Sequence, residues 1–216
     1  MSIELDHVFA MCAIGAPEAE ALVRAGIREG SPNTHPGQGT ACRRFFFEGA
    51  YLELLWVEDE KEARNARTRP TRLWERWVGR DAGCSPFGIV LRPEGAAGPP
   101  FPTWAYHPAY LPPELAIDIA VGSPLAEPES FFLGFAGGAG RGPAQPTDHE
   151  LPLGRVRSLR VDMPSAVPLS PAARALERLQ IASFTAPRPS FLQIVFEGEG
   201  RTLLDLRPQL PLALRF

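Results

Sequence analysis

The chain has 216 residues, 24 of them Pro and 20 Gly, so roughly one residue in five interrupts regular backbone. That density excludes a long helical bundle or coiled coil. With 44% hydrophobic and 22% charged residues the chain is not disordered overall, and a net charge of -3 gives no general attraction to nucleic acid or anionic membrane.

No apolar run approaches the ~20 residues of a membrane-spanning helix. The N-terminus is acidic where a secretory leader is basic. Cys12, Cys42 and Cys84 are odd in number and far apart, which suits reduced thiols. A cytoplasmic protein is expected, with no nucleic-acid partner and no membrane. Cys-x-x-Cys, His-Glu-x-x-His, a phosphate-binding loop and a Gly-x-Ser-x-Gly elbow are all missing from the sequence.

In chain order, residues 3–11 predict a strand and residues 16–25 a short helix. Pro17 suits the first helical position, Ala19, Leu22 and Val23 form its apolar stripe, and Gly26 stops it. Strands are predicted at 26–29, 42–48 and 51–57, with a loop at 31–39 and a hairpin turn at Glu48, Gly49 and Ala50. Arg72, Arg76 and Arg80 recur every four residues opposite Trp74 and Trp77, which predicts an amphipathic helix with a solvated arginine face.

Residues 61–154 hold 14 of the 24 prolines, which marks an irregular insertion. Within it, 88–92 and 116–121 read as strands, 104–110 is aromatic, and the glycine-rich stretch 137–142 reads as a flexible loop.

From residue 156 the opening order returns. A strand at 156–163 precedes a helix capped by Ser170 and Pro171, with Ala172, Ala175, Leu176 and Leu179 as its stripe. Strands follow at 182–185, 191–197 and 202–207. The expected fold class is therefore α+β: two βαβββ modules, 1–60 and 155–216, form a cupped mixed sheet in one compact domain, with the strand-containing insertion 61–154 between them. The echo extends to register. His7 lies 46 residues before Glu53, and Ser158 lies 47 before Asp205.

Strand alternation places His7 on one face with Leu5, Phe9 and Met11, and Glu53 with Tyr51, Leu55 and Val57. A polar group on an apolar face needs a partner if it is buried. On the strands around Ser158 and Asp205 lie Arg160, Asp162 and Arg207. They would clamp an anionic group if that face lined the cup, and form solvated ion pairs if it faced water. In the 31–39 loop, two glycines flank Gln38 beside His35, which suits either close approach to a ligand or a tight turn. Tyr106, His107 and Tyr110 either roof the cup or pack the insertion.

The paired plan, with Leu5-Asp6-His7-Val8 in strand one and residues 51–57 (Tyr-Leu-Glu-Leu-Leu-Trp-Val) in strand four, resembles the vicinal-oxygen-chelate superfamily. Residues 35–40 (His-Pro-Gly-Gln-Gly-Thr), followed by Arg43 to Phe47 and by Thr71 to Trp77, look like its glyoxalase-like domain proteins. That resemblance implies a divalent metal (Zn, Fe, Mn or Mg) held by His7 and Glu53, with Asp205 completing the set. Ser158 stands where a second nitrogen ligand is expected, so a metal-free cup is the alternative, and Asp118 is an outside candidate for the missing ligand. The implied chemistry is a metal-assisted lyase, isomerase or dioxygenase step on a small oxygenated molecule. His35 and Gln38 would act at the substrate, and Arg43, Tyr106, His107, Arg160 and Arg207 would bind it. The rival reading is a non-catalytic small-molecule-binding protein of the bleomycin-resistance kind. Such modules also pair between chains, which leaves a homodimer open.

Overall fold

Residues 51–57 show how the sequence builds the sheet. Leu52, Leu54 and Trp56 face one core, and Glu53 and Leu55 face the other way, so both sides of the strand are covered. The protein, seen in a computed structural model, is described over residues 2–136, 144–165 and 168–216. The predicted loop at 137–142 lies outside the described residues.

The first segment runs β1 (Ser2–Met11), α1 (Ala19–Arg24), β2 (Asn33–His35), β3 (Thr40–Phe46) and β4 (Tyr51–Val57). The second runs α2 (Glu60–Ala63), a 3-10 turn (Arg69–Thr71), α3 (Leu73–Gly79), β5 (Phe87–Glu94), β6 (Thr103–Tyr106), β7 (Ile117–Ala120) and β8 (Glu129–Phe132). The third runs β9 (Val156–Asp162), α4 (Pro171–Arg178), β10 (Ala182–Thr185), β11 (Phe191–Phe196), β12 (Leu203–Asp205) and β13 (Leu212–Arg215). No strand forms at 26–29. The edge strand is β2 instead, inside the predicted loop, where Asn33 comes opposite Cys42.

The α+β class and a cupped mixed sheet made of two modules are what the structure holds. The pairing, however, puts the second half of the cup elsewhere than at 155–216. An eight-stranded sheet runs β2-β3-β4-β1-β5-β8-β7-β6. Its first half has β1 parallel to β4, and its second half repeats this with β5 parallel to β8. The two halves meet where β1 and β5 pair antiparallel. The supposed insertion is thus the partner module, with irregular chain at 95–102 where the first module has a helix. Many of its prolines and glycines lie in the links between strands, where they do not interrupt the ladder.

The third segment has the expected order from β9 to β12, followed by an unforeseen β13. It forms its own five-stranded sheet, β10-β9-β11-β13-β12. Order and directions repeat those of β4-β1-β5-β8-β7 in the cup: parallel, antiparallel, parallel, antiparallel. Among the described residues, the one backbone bridge between the sheets joins Glu48 and Arg155. The sheets are held together by side chains. Val8, Leu52, Leu54, Phe87 and Ile89 from the back of the cup share one core with Leu159, Ile194 and Leu212. Helices α1, through Ala19 and Leu22, and α4, through Ala172, Ala175 and Leu176, join the same core. Val23 points outward instead. A smaller cluster inside the cup contains Phe9, Met11, Leu55, Val90, Tyr106 and Phe131. The three cysteines are free thiols, and among the described residues no helix is long and apolar enough to cross a membrane.

The solvated arginine face predicted for α3 does not form. Arg76 is 0% exposed. Its guanidinium donates to the carbonyls of Leu125 and Glu127, at 3.2 and 2.6 Å, and to Glu129 Oε2 at 3.0 Å. The planar fork of donors suits a ring of carbonyls, and a guanidinium keeps its charge when buried. Glu127 in turn accepts the backbone N–H of Ser170, the cap of α4, at 2.9 Å. Arg76 therefore fixes the 123–129 turn to which the third segment attaches. Replacing it with Leu should lower the unfolding free energy by on the order of 3 kcal/mol, because buried acceptors lose their partner. Arg64→Ala, at an exposed helical pair with Glu60, should change it by under about 0.5 kcal/mol. Urea denaturation of the two variants measures the contrast.

Candidate functional site

The concave face of the eight-stranded sheet lines a partly open cavity of about 200 Å³. Its imidazoles, amides and carboxylate come from the first segment, as His7, Asn33, His35, Gln38 and Glu53, while Thr71, Tyr106 and Tyr110 of the second segment also line it. Val90, Ile117, Phe131 and Leu133 supply the opposite, apolar wall. Phe9 lies beneath, its ring over Gly88 of β5. An ideal Cβ added to Gly88 would come within 2.1 Å of that ring, so only glycine admits it.

A register shift between Leu5 and His7 sets the polar wall. The bulge breaks the simple alternation expected for β1: Leu5 packs on the rear core while His7 turns into the cup. It also brings Asp6 beside His7, with Nδ1 of His7 2.8 Å from Asp6 Oδ1. Arg92 holds the other Asp6 oxygen at 3.3 Å and Glu4 at 2.9 Å. The Asp6 contact draws the ring proton to Nδ1 and leaves Nε2 directed at Glu53 Oε2, 3.8 Å away. That is too long for a hydrogen bond. The ring of His7 stacks on Tyr51 at 4.4 Å between centroids.

Glu53 is also reached by Cys42, whose thiol donates to Oε1 at 3.5 Å. Burial, and then the Glu53 charge, push the Cys42 thiol far above its usual range. His35 is engaged on both nitrogens. Nδ1 donates to Thr40 Oγ1 at 2.9 Å, and Nε2 accepts from Asn33 Nδ2 at 3.1 Å. Burial holds the His35 imidazole below its usual value, partly offset by Glu53, so the ring is neutral. Gln38 donates to the same Thr40 oxygen at 2.8 Å. Tyr110 closes over this group, 5.0 Å from the His35 ring. Gly37, at φ +80°, leaves room for Ala109 of the same roof segment.

Of the residues singled out in the sequence, the structure gathers His7, Glu53, His35, Gln38, Tyr106 and Tyr110 around one cavity. The others lie elsewhere. Asp205 is exposed on β12 in the other sheet, where Arg207 donates to both its oxygens and holds its carboxyl below the usual range. Arg207 also covers Phe191, and Arg160 is exposed on β9. That row is the solvated face. Ser158 shares its sheet and not the cup. Arg43 points to the rear, where alternation on β3 sends it with Ala41 and Phe45, and it binds Glu29 and Glu20. His107 is exposed outside the roof, and Asp118, on β7, accepts from Thr103 of β6. Asp6, Cys42, Asn33 and Thr40 were not anticipated. Asp6 belongs to the Leu5-Asp6-His7-Val8 motif, but only the bulge gives it its role.

The cup suits a divalent ion by its donor chemistry. Neighbouring ligands of one zinc-sized ion stand about 3.3 Å apart, close to the His7–Glu53 separation of 3.8 Å. A carboxylate behind a ligating imidazole is the usual supporting contact, and Asp6 provides it. His35, Cys42 and Glu53 form a further trio, their donor atoms within 4.8 Å of one another. His35 would have to give up Asn33 or Thr40 to join, and Cys42 its proton.

A neutral buried imidazole makes stability pH-dependent with a definite sign. Below the ordinary value of 6.5 the unfolded chain takes up a proton that folded His35 refuses. Its contribution is complete above that value and falls on acidification toward the lowered folded value. His35→Gln should therefore shrink the loss of stability between pH 7 and pH 5, read from urea midpoints of both proteins.

The glyoxalase-like domain family matches residues 5–108. No curated protein matches the chain. The crystal structure of a hypothetical protein from Staphylococcus aureus aligns over 99% of this chain and 98% of its own, with a TM-score of 0.50 at 10% identity. A hypothetical protein from Bacillus halodurans C-125 aligns over 62% of this chain and 94% of its own, with a TM-score of 0.39 at 11% identity. The first likeness is one of fold and spans all three segments. The family match covers β1 to β6, including the bulge, the His35 loop and Glu53, and residues 5–108 thus belong to the glyoxalase-like domain family, the branch of the vicinal-oxygen-chelate superfamily that their motifs resemble.

Proposed function

We propose that the cup is the active site of an enzyme acting on a small oxygenated molecule with the help of a divalent ion held by His7 and Glu53. The observation that carries this reading is the pair of acceptors, His7 Nε2 and Glu53 Oε2, facing each other across 3.8 Å. Nδ1 of the same ring is tied to Asp6. Two acceptors facing each other favour a cation or a hydrogen-bond donor between them.

When bound, the ion supplies Lewis-acid polarisation of a substrate oxygen, which suits lyase, isomerase or dioxygenase chemistry. The chain's own residues do the rest. Asp6 holds His7 in the ligating tautomer, and Tyr51 fixes the ring plane by stacking. The neutral His35 and the amide of Gln38 offer donor and acceptor groups to the ligand. Tyr110 and the apolar wall keep water from the bound molecule.

A sequestering role has one observation in its favour: both nitrogens of His35 are already satisfied within the protein. Metal titration separates the two readings. Wild-type protein, stripped with chelator and titrated with Zn or Mn by calorimetry, should take up one ion per chain. Glu53→Gln should weaken uptake at least tenfold, and Asp6→Asn by about 10–100-fold, as expected for loss of a contact behind a ligand. No uptake by wild-type protein leaves the sequestering role.

A further inference from the structure

The cup is polarised between its two modules. Its imidazoles, amides and carboxylate lie on the first module, while β5, β7, β8 and the residue after β8 present Val90, Ile117, Phe131 and Leu133, with Thr71, Tyr106 and Tyr110 as the hydroxyl-bearing residues of that side. Among the described residues, no Arg or Lys lines the cavity. Three guanidinium groups on the surrounding elements are committed elsewhere: Arg44 to Ser31, Arg92 to Glu4 and Asp6, and Arg72 to Ser123 and Glu129; Arg67 lines a separate hollow behind Tyr106, with Trp104 and His107. The hydroxyl of Tyr106, on the second module, lies 3.4 Å from that of Thr68. The volume of about 200 Å³ is below the ~300 Å³ at which pockets for drug-sized ligands begin.

Taking the cup as the ligand site proposed above, we propose that it receives a small molecule with one oxygen-bearing end and an uncharged, apolar remainder. The oxygen end meets His7 and Glu53, and the remainder lies against Val90, Ile117 and Phe131. A carboxylate or phosphate at the far end is excluded, because it would be buried against hydrocarbon with no cation to pair it. A ligand with charge at both ends does not fit this cup. A metal at His7 and Glu53 changes nothing at the apolar end, so the selectivity belongs to the second module.

Matched probes test this. 4-Methylphenol is compared with 4-hydroxybenzoate, and 4-methylcyclohexanone with 4-oxocyclohexanecarboxylate, by ligand-observed NMR on the full chain, once chelator-treated and once with Zn or Mn added. In at least one pair the neutral member should bind, and at least about tenfold more tightly than its acid. Binding of an acid as tightly as its neutral partner overturns the proposal, and so does failure of both neutral members to bind. Ile117→Arg, shown to be folded by circular dichroism, should reduce or reverse the preference. An unchanged preference in that variant also overturns the placement. A preference that holds while added metal has no effect counts against the metal reading alone. Metal-dependent binding without the preference counts against the ligand class alone.

Discussion

Two modules become one cup because β1 and β5 pair antiparallel from Ser2 opposite Glu94 to Ala10 opposite Phe87. That seam fixes the floor of the cavity and brings the polar wall across from the apolar one. It also contains the irregularity at Asp6. Without the bulge, Asp6 and His7 would alternate to opposite faces, as neighbours on a strand do. With it, a carboxylate stands behind an imidazole that points into the cup, and Arg92 of β5 anchors the carboxylate from across the seam.

Regular elements with strong local signals were legible in the sequence. β4 and β10 fall where alternation and turns place them, and α4 begins at the Ser170 cap, whose hydroxyl accepts from Ala173 N–H at 3.1 Å. His7, Glu53, His35 and Gln38 were legible as a group, through their motifs and their positions. What escaped was pairing. β8 is four buried residues, Glu129 to Phe132, with no polar alternation to announce a strand, and β6 lies in an aromatic run that resembles a loop. The third segment echoes the cup as a whole and not the first segment alone: β9 to β13 retrace β1, β4, β5, β7 and β8 in order and direction, so β12 answers to β7 and not to β4. Chain order alone does not say which strands share hydrogen bonds, and so Asp205 came to be expected at a site on a different sheet.

Arginine was the residue type whose environment was hardest to infer. A spacing of four residues says that Arg72, Arg76 and Arg80 share a face of α3; it does not say what lies against that face. Carbonyls of the 123–129 turn do, and they convert an apparently solvated side chain into one of the most deeply buried. Arg43 carries the converse lesson. It sits one residue from Cys42, which reaches Glu53, yet strand alternation sends it behind the sheet to two glutamates.

Gly88 governs the cup without touching a ligand. The ring of Phe9 occupies the space that any other residue's Cβ would need, so the depth of the cavity depends on an atom that is missing from the chain. A single methyl group there would push the aromatic ring upward between the two walls and spend free space on protein. The size threshold of the cup is therefore encoded on the strand beneath it, in the one amino acid with no side chain to recognise anything.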